Sequence, residues 1–507
     1  MENKRGSWGS NIGFLLAAVG SAVGLGNIWG FPFKMGKSGG FTFLLVYLFL
    51  AIFVGLIIMC AELALGRKTR KAPIAAYKAV SKKFAWLGWL AVLSPFLIMT
   101  FYSVLGGYCI YYIIINLIGI FGGMPEGMSS FVNMITSIPI SIGILLAFMV
   151  ICFFIVAGGV DSGIEKFNKI GMPALFVMLV IIIIRSLTLP NAVEGLKFMF
   201  VPGYAVKGGF IESAPDLVTV LGTAGGQMFF SLSLAMGAMI TYGSYLGKEE
   251  NLVKNSGIIV FADTLVALLA GIAVIPAAVA NGINNGIPVN QIKLGGPNLL
   301  FATLLDVFHN MGALGGVFGV IFYILVLLAA ISSAISLMEV LSAHFIDKAA
   351  EQGKKLERKK VVLWVSIAIL IPAILVVADG LGSNGITPAE IFKIQNVRGW
   401  NDCWLDFFDC WSEGIMMPLG AMLMALMIGW EVGPQLTLDE VAHGDPSEGF
   451  KKFFIFCIKF VVPIVMAFVL AGQMIDFFGG SQVIWYVVAV LLLVVFWIIA
   501  AAKSKAE

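Results

Sequence analysis

Twelve apolar stretches, each long enough to cross a bilayer as a helix, run through the sequence near 11–33, 41–66, 86–119, 138–157, 169–187, 219–246, 256–280, 313–347, 361–380, 403–430, 451–473 and 482–502. One crossing takes about 20 such residues. Hydrophobic residues make up 60% of the chain and charged residues 12%, where a soluble domain carries about a quarter. One buried core cannot hide that much apolar surface, so most of it is expected to face lipid. The expected fold class is an all-α integral membrane protein. The first run lacks a small-residue cleavage site and reads as a span, not a removed leader. Between the seventh and eighth runs, the Gly/Asn/Pro-rich stretch 281–310 is expected to form an external loop with a short helix near Leu299 to Phe308.

Orientation follows the basic residues. Lys4 and Arg5 precede the first run. Arg67, Lys68, Arg70 and Lys71 follow the second, Lys354, Lys355, Arg358, Lys359 and Lys360 follow the eighth, and Lys503 and Lys505 follow the last. With twelve crossings all of these share one side, so both termini are expected in the cytoplasm. Only 3 histidines are present, which argues against a metalloenzyme. No phosphate-binding glycine loop and no nucleophile–base pair point to an enzyme, and nothing points to nucleic acid. The 6 cysteines lack metal spacing and read as packing residues. Cys403 and Cys410, seven apart on a helix, stand about 10 Å from one another, too far for a disulfide.

Two runs contain residues that a lipid-facing helix should lack. The first holds Gly20-Ser21-Ala22-Val23-Gly24-Leu25-Gly26-Asn27. The sixth holds Gly222, Gly225, Gly226 and Gln227, then Ser231-Leu232-Ser233-Leu234-Ala235-Met236-Gly237. One reading is close helix packing through small residues. The other is paired interruption, where open backbone meets a ligand or water, and two such segments five spans apart point to a substrate site between inverted repeats. Half-helix N-termini suit a carboxylate. Freed carbonyls suit a small hard cation, with side-chain oxygens from Asn27, Ser231, Ser332 and Ser333. Asp263, in the seventh run, needs a cation or a proton if it is deep in the bilayer. If instead it lies near the edge, it is a hydrated structural group.

The run Ala22-Val23-Gly24-Leu25-Gly26-Asn27-Ile28-Trp29 with Phe31-Pro32 resembles the signature of the neurotransmitter:sodium symporter family, whose bacterial members share the LeuT-type fold. Segments 227–233, 240–245, 275–277 and 330–336 resemble it too, and the likeness runs from about Arg5 to about Trp430. It implies a 5+5 inverted repeat (about 11–187 and 219–430) within a transporter core, 1–430, in which spans 1 and 6 unwind at mid-membrane. Two peripheral spans follow in 431–507, expected to pack at the edge or to form a homodimer contact.

The resemblance also implies roles. Sodium site one takes Ala22, Asn27, Ser231 and Asp263. Sodium site two takes Gly20, Val23, Ala329, Ser332 and Ser333. The substrate meets Ser21, Ala22, Gly24, Leu25, Gly26, Ile98, Tyr102, Phe230, Ser231, Ser233, Met236, Ser333 and Leu337, with Tyr102 and Phe230 forming the lid. Arg5 with Asp347, beside Trp8 and Tyr245, forms the inner gate, and Asp409 belongs to the outer one. The implied function is sodium-coupled import of a neutral, hydrophobic amino acid across the plasma membrane by alternating access. Gly24 stands where monoamine carriers of the family have an acid. Chloride is expected not to be required, because Asp263, with Tyr47, Gln227 and Ser231 around it, supplies the negative charge.

One departure is Trp29-Gly30-Phe31-Pro32, where the family has an Arg in place of Gly30. Asp409 would then need another cation, with Lys34 and Arg398 the candidates. The same departure keeps a competing reading open, a non-transporting sensor or a leaky channel on the same fold.

Overall fold

The computed structural model describes residues 7–123, 125–292, 294, 299–393 and 403–502. Ten helices among them are long and apolar enough to cross a membrane. In chain order they are the second to fifth spans (Phe41–Thr69, Leu87–Gly122, Ile138–Ala157, Val160–Leu187) and the seventh to twelfth (Leu252–Asn284, Gly315–Glu351, Arg358–Asp379, Trp404–Glu431, Glu448–Phe478, Gln482–Ala501). The first span is a pair, Asn11–Ala22 and Gly26–Lys37, bent by 44°. The sixth is also in two pieces, Leu217–Ser231 and Ala238–Gly243, neither of spanning length alone.

The third and eighth spans, at 36 and 37 residues, are about 55 Å long at about 1.5 Å per residue. They outreach the roughly 30 Å hydrocarbon layer and extend into water at their ends. They lie side by side and carry Tyr102 and Ser333 to the molecule's middle. The tenth span is the most enclosed, 83% of its apolar window being buried, and the twelfth the least, at 17%. The seventh span continues to Asn284, past the expected end at 280, and the loop beyond it contains the short apolar helix Leu299–Asn310. All six cysteines are buried and unbridged.

Candidate functional site

The first break begins where Val23 leaves the helix with an extended backbone (φ −75°, ψ 98°). Space dictates the glycines that follow. A Cβ on Gly24 would lie 2.2 Å from Ser333 Oγ and 2.7 Å from the Tyr102 hydroxyl, and one on Gly26 would lie 2.8 Å from the Phe230 ring. In the second break Ser233, Ala235 and Gly237 are left-handed, with φ of 53°, 59° and 74°. L-residues pay about 1–2 kcal/mol for that conformation, so neighbours must hold it. The Ala235 N–H donates to Glu62 Oε1 at 2.6 Å, and Ser233 Oγ donates to the Ser21 carbonyl at 2.8 Å.

Between the breaks lies a nearly closed cavity, with about 10 Å³ of free space, lined by Ser21, Ala22, Gly24, Gly26, Ile98, Tyr102, Phe230, Ser233, Met236, Ser333 and Leu337. Two residues expected at the substrate, Leu25 and Ser231, are not in that lining. The Leu25 N–H donates to the Tyr102 hydroxyl at 3.1 Å, and Ser231 turns to Asp263. The Tyr102 and Phe230 rings meet across one end, with centroids 6.2 Å apart. No acidic or basic side chain lines the cavity.

Two oxygen clusters flank it. In one, Asp263 is fully buried. It receives Asn27 Nδ2 at 2.7 Å, the Ser231 hydroxyl at 3.0 Å and the Tyr47 hydroxyl at 3.3 Å. All three donors are neutral, and among the described residues no basic group pairs with it. That leaves a carboxylate in the membrane interior short of a cation, and the hard oxygens around it fit sodium chemically. Gln227, expected beside Asp263, instead donates to the Gly26 carbonyl at 2.7 Å, bracing the restart of the first span. In the other cluster Ser332 Oγ lies 3.3 Å from the Val23 carbonyl and 2.9 Å from that of Ala329. Ser333 Oγ lies 3.5 Å from the Gly20 carbonyl and 3.0 Å from that of Ser21. The five residues expected for the second sodium site therefore lie together.

At the end of the first span nearest the N-terminus, Trp8 Nε1 donates to the Tyr242 carbonyl at 3.1 Å, and its ring packs on Tyr242 and Tyr245. Asp347 accepts the Ala72 N–H at 2.7 Å. Arg5, its expected partner, lies outside the described residues, as does Arg398. At the other end Lys34 pairs with Glu413, both largely buried, and Asp409 lies one helical turn before Glu413 on the tenth span. Lys34, one helical turn beyond Gly30 and one of the two cations expected for Asp409, thus has Glu413 as its ion-pair partner. Gly30 itself faces Gln227, whose Oε1 would be 2.7 Å from an added Cβ.

Several charged residues of the site escaped the sequence reading. Glu62 holds the second break. Glu339, fully buried, accepts the Tyr245 hydroxyl at 2.8 Å and pairs with Arg358. Glu165 accepts the Gly9 N–H at 2.8 Å. Each is an acid inside or beside an apolar run, which is a default sign of function in a membrane span.

The model of the sodium:neurotransmitter symporter family matches residues 5–120 and 127–504, so the likeness extends through both C-terminal spans, beyond Trp430. A sodium-dependent transporter of Bacillus subtilis, YhdH, is 33% identical over 92% of this chain and 97% of its own length. The sodium-dependent transporter MJ1319 of Methanocaldococcus jannaschii is 33% identical over 85% of this chain and 82% of its own. Among solved structures, that of MhsT in complex with L-phenylalanine is 34% identical, with a TM-score of 0.80, over 92% of this chain and all of that one.

Proposed function

Since the chain belongs to the sodium:neurotransmitter symporter family, has its LeuT-type fold and is thereby a sodium-dependent symporter, we propose that its cargo is a neutral, hydrophobic L-amino acid. The observation that carries this reading is the cavity between the two breaks. Peptide groups and hydroxyls from Ser21 to Gly26 and from Phe230 to Ser233 suit a zwitterion's charged end. Ile98, Met236 and Leu337 suit an apolar side chain, and no fixed charge in the lining would match a charged one. The L-phenylalanine held by the similar MhsT supports the same class.

In this proposal the backbone near Leu25 and Gly26 and the Tyr102 hydroxyl receive the substrate carboxylate, while carbonyls near Ala22, Phe230 and Ser231 receive the amine. Asn27, Ser231 and Asp263, with the Ala22 carbonyl, hold one sodium. Gly20, Val23, Ala329, Ser332 and Ser333 hold a second. Asp263 provides the negative charge that makes chloride unnecessary. Tyr102 and Phe230 close the site outwardly, Lys34, Glu413 and Asp409 fasten that side, and Trp8, Tyr245 and Asp347 fasten the other. Each sodium charge entering through 100 mV releases about 2.3 kcal/mol, enough for two ions to sustain a large substrate gradient. The basic loops favour cytoplasmic termini in the plasma membrane, with 431–507 outside the moving core.

The test is uptake of a panel of labelled amino acids into proteoliposomes with and without an inward sodium gradient. Saturable, sodium-driven accumulation of apolar amino acids is expected. Accumulation restricted to charged or monoamine substrates refutes the cargo assignment, and binding without accumulation refutes import.

A further inference from the structure

Away from the central site, an apolar groove of about 480 Å³ lies on the outer face of the third, eighth and ninth spans. Its walls include Leu93, Phe345 and Trp364, and its lining is wholly apolar. Trp364 is 68% exposed and Trp89 59%. The groove opens at its loop end into two polar hollows. Trp89 belongs to both the groove and the hollow containing Lys78 and Lys348. Leu356 belongs to both the groove and the hollow containing Lys354 and Lys355.

The charges of these hollows are unbalanced. Their bases are Arg70, Lys71, Lys78, Lys348, Lys354, Lys355 and Arg358, their acids only Asp347 and Glu351. The acids are engaged, Glu351 by Lys71 and Asp347 by the Ala72 N–H. Arg358 is engaged by Glu339. Lys78, Lys348, Lys354 and Lys355 form no ion pair among the described residues. A long apolar trough ending in unpaired ammonium groups, with tryptophan at the junction, is complementary to one kind of molecule, an acyl chain carrying an anionic head.

We propose that this groove is a binding site for an anionic glycerophospholipid. Its acyl chain lies along Leu93, Phe345 and Trp364, and its phosphate is held by Lys348, Lys354 and Lys355. Basic pockets between spans are a recurrent means of recognising anionic headgroups. The basic hollow is also walled by Tyr245 and Asp347, so the lipid contacts the same face as the inner closure.

The test uses purified, delipidated full-length protein and native mass spectrometry, with phosphatidylglycerol or phosphatidylcholine added. The parent is expected to retain phosphatidylglycerol in preference to phosphatidylcholine. With about 1 kcal/mol per lysine, the variant K348Q/K354Q/K355Q is expected to bind phosphatidylglycerol about 100-fold more weakly, with its thermal melting unchanged in lipid-free detergent. Trp364→Ala is expected to weaken long-chain phosphatidylglycerol more than its dihexanoyl analogue. Equal retention of the two headgroups by the parent, or undiminished phosphatidylglycerol on the triple variant, overturns the proposal. So does a lipid-independent dimer that Trp364→Ala dissolves, which would give the groove to a second copy of the chain.

Discussion

Substituting Gly24 by alanine adds one methyl group at the most crowded point of the central site. The new Cβ would stand 2.2 Å from Ser333 Oγ and 2.7 Å from the Tyr102 hydroxyl, so both side chains must yield. Overpacking of this kind costs about 1–3 kcal/mol. Displacing the Tyr102 hydroxyl also removes its bond from the Leu25 N–H, worth about 1 kcal/mol. The sum, about 2–4 kcal/mol, corresponds to amino-acid binding weakened about 30- to 700-fold. Binding of labelled substrate at saturating sodium, in detergent, measures it directly. The double variant Gly24→Ala, Ser333→Ala removes the shorter of the two collisions, so it is expected to bind better than the two single losses added together, with a coupling of about 1–2 kcal/mol. The reasoning is refuted if Gly24→Ala binds within twofold of the parent while remaining folded, or if the two losses simply add.

Three further outcomes follow from the same geometry. Uptake by the parent should persist when gluconate replaces chloride, whereas Asp263→Asn should abolish uptake in gluconate and recover part of it in chloride; a chloride-requiring parent contradicts the assigned role of Asp263. Ser332→Ala removes one oxygen from the cluster with Val23 and Ala329 and should weaken sodium dependence about tenfold; an unchanged sodium titration excludes that hydroxyl as a ligand. Lys34→Met leaves Glu413 buried and unpaired and should cost about 3–5 kcal/mol of stability, most of it restored in Lys34→Met, Glu413→Gln; equal melting of the single and double variants would show that the pair is not coupled.

The parts of this molecule that local chemistry determines could be read in the sequence. Apolar run length marked the spans, and clustered Gly and Ser marked both interruptions, because such residues weaken a helix and let other groups approach its opened backbone. Leu25 and Ser231 were expected at the site, and in the fold the Leu25 N–H meets the Tyr102 hydroxyl while the Ser231 hydroxyl meets Asp263. Which of two nearby acceptors a group chooses depends on rotamers and distances that no spacing encodes. The pairing of Lys34 with Glu413 joins residues 379 positions apart, and the tie of Glu62 to Ala235 joins residues 173 apart. Such partners are decided by how spans dock, so a single sequence shows that a buried acid needs a partner without showing which one.

The left-handed stretch of the sixth span has a mechanical consequence. Among the described residues no backbone hydrogen bond ties 235–243 back to the helix ending at Ser231. The segment Ala238–Gly243 is instead fastened sideways to the second span. Gly66 lets that span approach to the Ile240 carbonyl, Gly243 seats against Leu63, and the Glu62 carboxylate grips the peptide just above. The upstream piece leans on the same span, where Met228 and Leu232 meet Gly55. The angle between the two pieces of one nominal helix is therefore set by the torsions of 235–237 and by these side contacts, with no backbone rung from 235–243 to the upstream piece to break.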